Sequence, residues 1–203
     1  MEFIMRNKTN GNKTRNKILR VSEKVFAEKG FDAARVDYIA KKASVNKALI
    51  YYYFGSKELL LEALLKENAK EIIESLESNY ERVIKGNKGL VLDFYTTIIS
   101  HLKKKKNVLK IIMYEMLNSS KKKPKIFDIL DLTFDSLIRL VEKSGYIIKD
   151  IDTYRLRHFF YHFIPSMGFI LIGDKYCNQY GISIEQSFEK FVETFSGLKL
   201  WES

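Results

Sequence analysis

Proline is nearly missing from this chain: Pro124 and Pro165 are the only two in 203 residues. Because proline removes a backbone donor and breaks helices, its scarcity favours long uninterrupted ones. A single cysteine, Cys177, excludes an internal disulfide and a cysteine cluster for zinc or iron and sulfur, and gives no sign of an oxidising compartment. Long hydrophobic runs are missing too. The most apolar segment, "FFYHFIPSMGFILIG" from 159 to 173, holds a proline and a histidine and is too short to span a bilayer. It reads as a helix buried in the core or in a subunit interface and kinked at Pro165, so no stable membrane insertion is expected. The apolar run at the N-terminus is too short for a secretion signal; residues 1–13 read as a flexible polar arm, and the expected location is cytoplasmic. No stretch alternates with period two for long enough to suggest a sheet.

The composition is 46% hydrophobic and 30% charged, which excludes wholesale disorder. The formal charge of +10 calls for an anionic partner, and its distribution is uneven. Residues 1–57 carry thirteen Lys or Arg against five acids, a net of +8, and the remaining residues carry twenty-two against twenty, a net of +2. The excess charge belongs to the N-terminal quarter.

That quarter has a recognisable order of elements. Ile18, Val21, Ser22, Val25 and Phe26 repeat at three and four, predicting an amphipathic helix capped near Thr14 and ended at Gly30. Val36, Ile39, Ala40 and Ala43 predict a short second helix. After a tight turn, Asn46 is a good N-cap for a third, running from Lys47 to about Phe54. Two short helices joined by three or four residues form a helix-turn-helix. Gly55 ends the third helix, and Ser56 caps a fourth that runs to about residue 84. Further helices are expected at about 89–104, 107–117, 125–144, 151–177 and 184–201. The fold class is therefore all-α: a three-helix head over residues 14–56 and a helical-bundle body over 57–203.

The stretch "SVNKALIYYYFGSKELL", starting at Ser44, sets the functional reading. Val45, Ile50 and Phe54 are enough to close a small core against Phe26 and Ile39, so the remaining tyrosines must face out. Phenolic hydroxyls and lysine ammonium groups donate to phosphate oxygens, while Ala48 and Leu49 suit thymine methyls in the major groove. Residues 15 to 61 resemble the DNA-binding head of the TetR family of transcriptional regulators. The resemblance is carried by Ile18 and Leu19, Phe26, Gly30 with Phe31, Ile39 with Ala40, Ala43 and Val45, then Lys47, Tyr51, Tyr53 with Phe54, and Ser56, Lys57 and Leu60.

The resemblance implies a homodimeric repressor of a double-stranded DNA operator with two-fold character, released by a small-molecule inducer bound in the body. It implies a recognition helix from Asn46 to Tyr53, with Lys47, Ala48 and Leu49 reading bases or backbone near its start. Tyr52 stands where the family often has histidine; Tyr53 and Lys57 match phosphate-holding residues, Tyr51 is either packing or contact, and Arg15 is a further clamp. Ala34 and Arg35 replace the usual threonine or serine, so the second helix loses its N-cap while Arg35 offers a phosphate contact by charge. Ser44 replaces a common glycine, a change tolerated if its φ stays negative.

In the body, Ile184, Phe188, Phe191, Phe195 and Leu198 form one apolar seam, and Leu156, Phe160, Phe163 and Met167 lie on the helix before it. The resemblance implies that these last two helices pair with the same two of a second subunit, so Leu156, Phe160, Phe163, Met167, Phe188, Phe191, Phe195 and Leu198 are the expected dimerisation residues. Phe94, Tyr95, Tyr114, Phe127, Phe134 and Tyr161, with Glu115 as an acid for a cationic ligand, are the candidate effector contacts. His158 and His162 lie four apart without a third metal ligand at a telling spacing, so no metal and no cofactor are expected. A small all-helical enzyme is the first alternative, opposed by the lack of a patterned nucleophile, carboxylate cluster or phosphate loop. A peripheral membrane or scaffold protein with a basic head is the second.

Overall fold

The computed structural model describes residues 2–84, 90–118, 125–143, 145 and 147–196, and side chains except those of 2–10, 79–84, 90–95 and 195–196. Every regular element among them is helical. In order they are α1 (Glu2–Lys29), α2 (Val36–Ala43), α3 (Lys47–Phe54), α4 (Lys57–Ile84), α5 (Leu90–Lys104), α6 (Lys106–Asn118), α7 (Lys125–Lys143), α8 (Ile151–Arg157), a π-helical segment (His158–Phe163), α9 (Ile164–Tyr180) and α10 (Ile184–Ser196). None of the described helices is long and apolar enough to cross a membrane.

Helix α1 begins at Glu2, so the segment expected as a flexible arm forms its first turns and Thr14 lies inside the helix. Extending a formed helix adds a hydrogen bond per residue, and Gly11 is the one poor helix former between Thr9 and Ile18 that opposes it strongly.

Two compact units make up the chain. The first comprises Met1–Asn68 and Lys110–Ile126, the second Ala69–Leu109 and Phe127–Ser203. The first unit therefore passes the boundary expected at residue 56. Leu60, Leu61, Leu64 and Leu65 in the first turns of α4 are buried there, alongside Ile18, Phe26, Ile39, Ile50 and Phe54. Gly30 ends α1 with φ 75, and a Cβ at that position would lie 2.7 Å from the Tyr114 ring. Glycine is thus favoured by the left-handed backbone, and the tip of the Tyr114 ring would have to move to admit a Cβ.

In the second unit, Phe134 of α7 makes edge contacts with His158, Phe159 and Phe163 at ring separations of 5.3, 6.3 and 5.9 Å. Arg155 donates to Asp135 at 2.5 Å and ties α8 to α7. Before Pro165, where the sequence predicts a kink, the chain has a π-helical segment ending two residues earlier. A proline has no N–H to bond back along the helix, and the widened turn precedes that gap. Phe169 of α9 stacks on Phe191 of α10 at 4.5 Å and lies 6.0 Å from Phe188, over which Lys103 of α5 places its ammonium at 3.6 Å.

Candidate nucleic-acid interface

The helix-turn-helix occupies α2, the turn at Ser44 to Asn46, and α3. Arg35 stands at the N-cap of α2 with extended backbone and no side-chain cap, as the loss of threonine or serine implies. Ser44 overturns one expectation: its φ is 50 and its ψ 50, in the left-handed region. The cause is the helix ending itself. The amides of Ser44 and Val45 turn back to the carbonyls of Lys41 and Ala40 at 3.1 and 3.0 Å, a closure that needs a left-handed residue. Asn46 caps α3 as its residue type predicts, its side-chain oxygen accepting from the Ala48 amide at 2.9 Å.

Helix α3 is divided cleanly. Ile50 and Phe54 are buried, while Ala48, Tyr51 and Tyr52, three and four residues apart, share an exposed face. Tyr52 is 80% exposed and Tyr51 43%, with Leu49 at 37% beside them. Tyr53 is half-buried, its ring edge-on to Tyr52 at 5.2 Å. A Cβ at Gly11 would come within 3.5 Å of the Tyr53 hydroxyl, so α1 passes close to it.

The cations of the head divide as well. Lys47 donates to Asp37 of α2 at 2.9 Å, and this hydrogen bond raises the lysine's pKa. Arg15 is paired with Glu67 and stacks its guanidinium over Phe54, 5.4 Å from the ring centre. Lys57 donates to three carbonyls, those of Phe31 at 2.9 Å, Ala34 at 3.2 Å and Asp32 at 3.3 Å. Of the residues expected to hold phosphate, Arg15 and Lys57 are therefore engaged within the first unit, because each reaches a partner far away in sequence. Arg35 is exposed.

Tyr114 and Glu115 belong to the first unit, where Tyr114 lies against Gly30. Phe134 and Phe127 join the aromatic cluster around Phe159, whereas Tyr161 is exposed. The side chains of Phe94 and Tyr95 lie outside the described residues. Burial lowers the pKa of His158 to about 4, and burial followed by the charge of His158 lowers that of His162 to about 3. Among the described residues no group of three or more His, Cys, Asp or Glu could hold a metal ion.

Of the expected dimerisation residues, Leu156 and Phe160 are exposed. Phe163, Phe188 and Phe191 are half-buried against rings of their own protomer. Met167 is fully buried and is a core residue, because it lies on the inner side of α9 with Ile170. Phe195 and Leu198 lie outside the described side chains. Sequence reasoning missed Ile172, Tyr176 and Tyr180, all exposed and four residues apart on α9. Their four-residue spacing was the available signal, obscured by Asp174, Lys175, Asn178 and Gln179 standing between them.

An all-helical chain with a capped, outward-facing second helix in a helix-turn-helix is the architecture of a DNA-binding regulator. The family profile "Bacterial regulatory proteins, tetR family" matches residues 18–64. The HTH-type transcriptional repressor NicS of Pseudomonas putida is 44% identical over 54 residues, 27% of this chain and 26% of that protein. The probable HTH-type transcriptional regulator YttP of Bacillus subtilis is 26% identical over 147 residues, covering 72% of this chain and 71% of that protein. Among solved structures, a transcriptional regulator of Aquifex aeolicus is 28% identical with a TM-score of 0.55, covering 64% of this chain and 72% of that one. The transcriptional regulator FadR of Bacillus subtilis, solved with stearoyl-CoA, shares the fold at a TM-score of 0.67 and 23% identity, over 92% and 97% of the two chains. The matches to NicS and to the Escherichia coli regulator UidR span 26% and 38% of those proteins. Residues 18–64 are thus a DNA-binding domain of the tetR family type, and the remainder of the chain shares the helical fold of such regulators.

Proposed function

We propose that this protein is a homodimeric repressor that binds duplex DNA through α3 and leaves its operator when a small effector enters the second unit. The carrying observation is the division of α3: a buried pair, Ile50 and Phe54, fixes the helix while Ala48, Tyr51 and Tyr52 face outward together. Such a face offers hydroxyl donors for phosphate and apolar edges for bases, within the part of the chain that carries a net +8.

Dimerisation is supported by α9. Ile172, Tyr176 and Tyr180 form a ridge of the four-residue type, and a Cβ at Gly168, one turn earlier, would meet nothing within 4 Å. Ridge and gap together suit close packing against the same helix of a second copy. The effector reading rests on the Phe127, Phe134, Phe159 and Phe163 cluster, which favours an apolar or aromatic guest.

The test uses genomic promoter fragments and the full chain. Wild-type protein should select one class of fragment, and Tyr52→Ala should keep its melting temperature while losing roughly tenfold in affinity, the scale of one charge-assisted phosphate contact. Equally poor binding to every fragment by the wild type would remove the proposal.

A further inference from the structure

The Lys57 ammonium group has three N–H donors, and three backbone carbonyls receive them. It also sits 4.3 Å over the Phe31 ring, so the side facing the head is filled by a π-face and a tripod of oxygens. Two of those contacts, to Phe31 and Ala34, are partly buried. Turning this ammonium toward a phosphate would exchange three acceptors for one; the Phe31 carbonyl would keep the Ala34 amide, but the partly buried Ala34 carbonyl would lose the ammonium, the costly direction for a hydrogen bond.

The carbonyls all belong to the loop between α1 and α2. One internal backbone bond crosses it, from the Ala34 amide to the Phe31 carbonyl at 3.2 Å. The loop delivers Arg35, the uncapped N-cap of α2, whose carbonyl accepts the amides of Tyr38 and Ile39 at 3.0 and 3.1 Å. The start of α2 and the direction of the Arg35 side chain therefore follow from where the loop is held. Lys57, from the start of α4, is the side chain that holds it.

We propose that Lys57 is a positioning residue: it fixes the Phe31–Ala34 loop so that Arg35 meets the DNA backbone, and it is not itself a phosphate ligand. The proposal rests on the DNA-binding reading above and is tested so that the two can fail separately. The probe is a duplex selected by the wild-type protein from a random-sequence pool, with affinity followed against salt for Arg35→Ala, Lys57→Met, Lys57→Arg and the double variant Arg35→Ala with Lys57→Met. Arg35→Ala should lower affinity roughly tenfold and the salt slope by about 0.9, the loss of one neutralised phosphate. Lys57→Met should do the same in the wild-type background and nothing further in the Arg35→Ala background.

Lys57→Arg keeps the charge, but a planar fork cannot reproduce a tripod onto three carbonyls, so it too should bind weakly. That variant carries the test if Lys57→Met does not fold. Lys57→Arg binding as tightly as wild type, or slope losses that add to about 1.8 in the double variant, would mark Lys57 as a direct ligand and overturn the proposal. Lowered melting temperatures with unchanged affinity would mark it as structural only and overturn it equally. If the wild type selects no duplex, the DNA-binding reading falls and this proposal with it; if the wild type selects one and Arg35→Ala binds it normally, only the proposal falls.

Discussion

Ser44 carries a backbone conformation that side chains resist. An L-residue in the left-handed region costs about 1–2 kcal/mol, and glycine avoids that cost at the expense of several tenths in unfolded-chain entropy. Ser44→Gly should therefore stabilise the head by about 0.5–1 kcal/mol, read as a higher urea midpoint at unchanged slope. No change in the midpoint would mean that the turn is relaxed. At this scale the sequence was informative where a partner is local. Asn46 could be identified as a cap because the amide it accepts is two residues away. The sign of φ at Ser44, the commitment of Arg15 to Glu67 and the hold of Lys57 on residues 31, 32 and 34 could not be read, because tertiary packing decides them.

Between elements, the contact of α6 with the end of α1 is set by one missing methyl group. Gly30→Ala would place a Cβ 2.7 Å from the Tyr114 ring on a backbone with φ 75. We expect a loss of roughly 2 kcal/mol or more, part of it recovered when Tyr114→Ala is added. Strict additivity of the two substitutions in denaturant unfolding would show that the ring simply swings away. The π-helical segment gives a pH prediction. His158 and His162 have pKa values lowered to about 4 and about 3, against about 6.5 in an unfolded chain, so between those limits the unfolded state binds more protons. Stability should fall as pH drops from about 6.5 toward 4, and His162→Leu should flatten that fall. A stability profile flat over this range would mean that the imidazoles are hydrated. The boundaries of α2 and α3 were legible because caps and breakers stand at their ends. The π segment was not, because apolar periodicity alone does not distinguish a π turn from an α turn.

For the whole molecule, the proposed dimer rests on the exposed ridge of α9. Tyr176→Glu, which puts a charge between Ile172 and Tyr180, should convert a dimer into monomers by sedimentation and weaken binding to a duplex with two half-sites more than to one with a single half-site. A wild-type protein that sediments as a monomer at every accessible concentration would end the dimer reading. All-helical architecture and the location of the basic head could be read from composition and charge alone. The exposed face of α9 could not, since apolar residues lie on more than one side of its first half and packing alone buries Met167 while exposing Ile172 and Tyr176.

The pair between Lys47 and Asp37 bears on how such a protein would search a chromosome. A cation that arrives already neutralised by a neighbouring carboxylate gains little from any passing phosphate, so it contributes little to lingering on random sequence. Because both side chains are largely exposed, parting them costs at most about 1 kcal/mol, so a phosphate held in good geometry would still win the amine while a passing one would gain less from it.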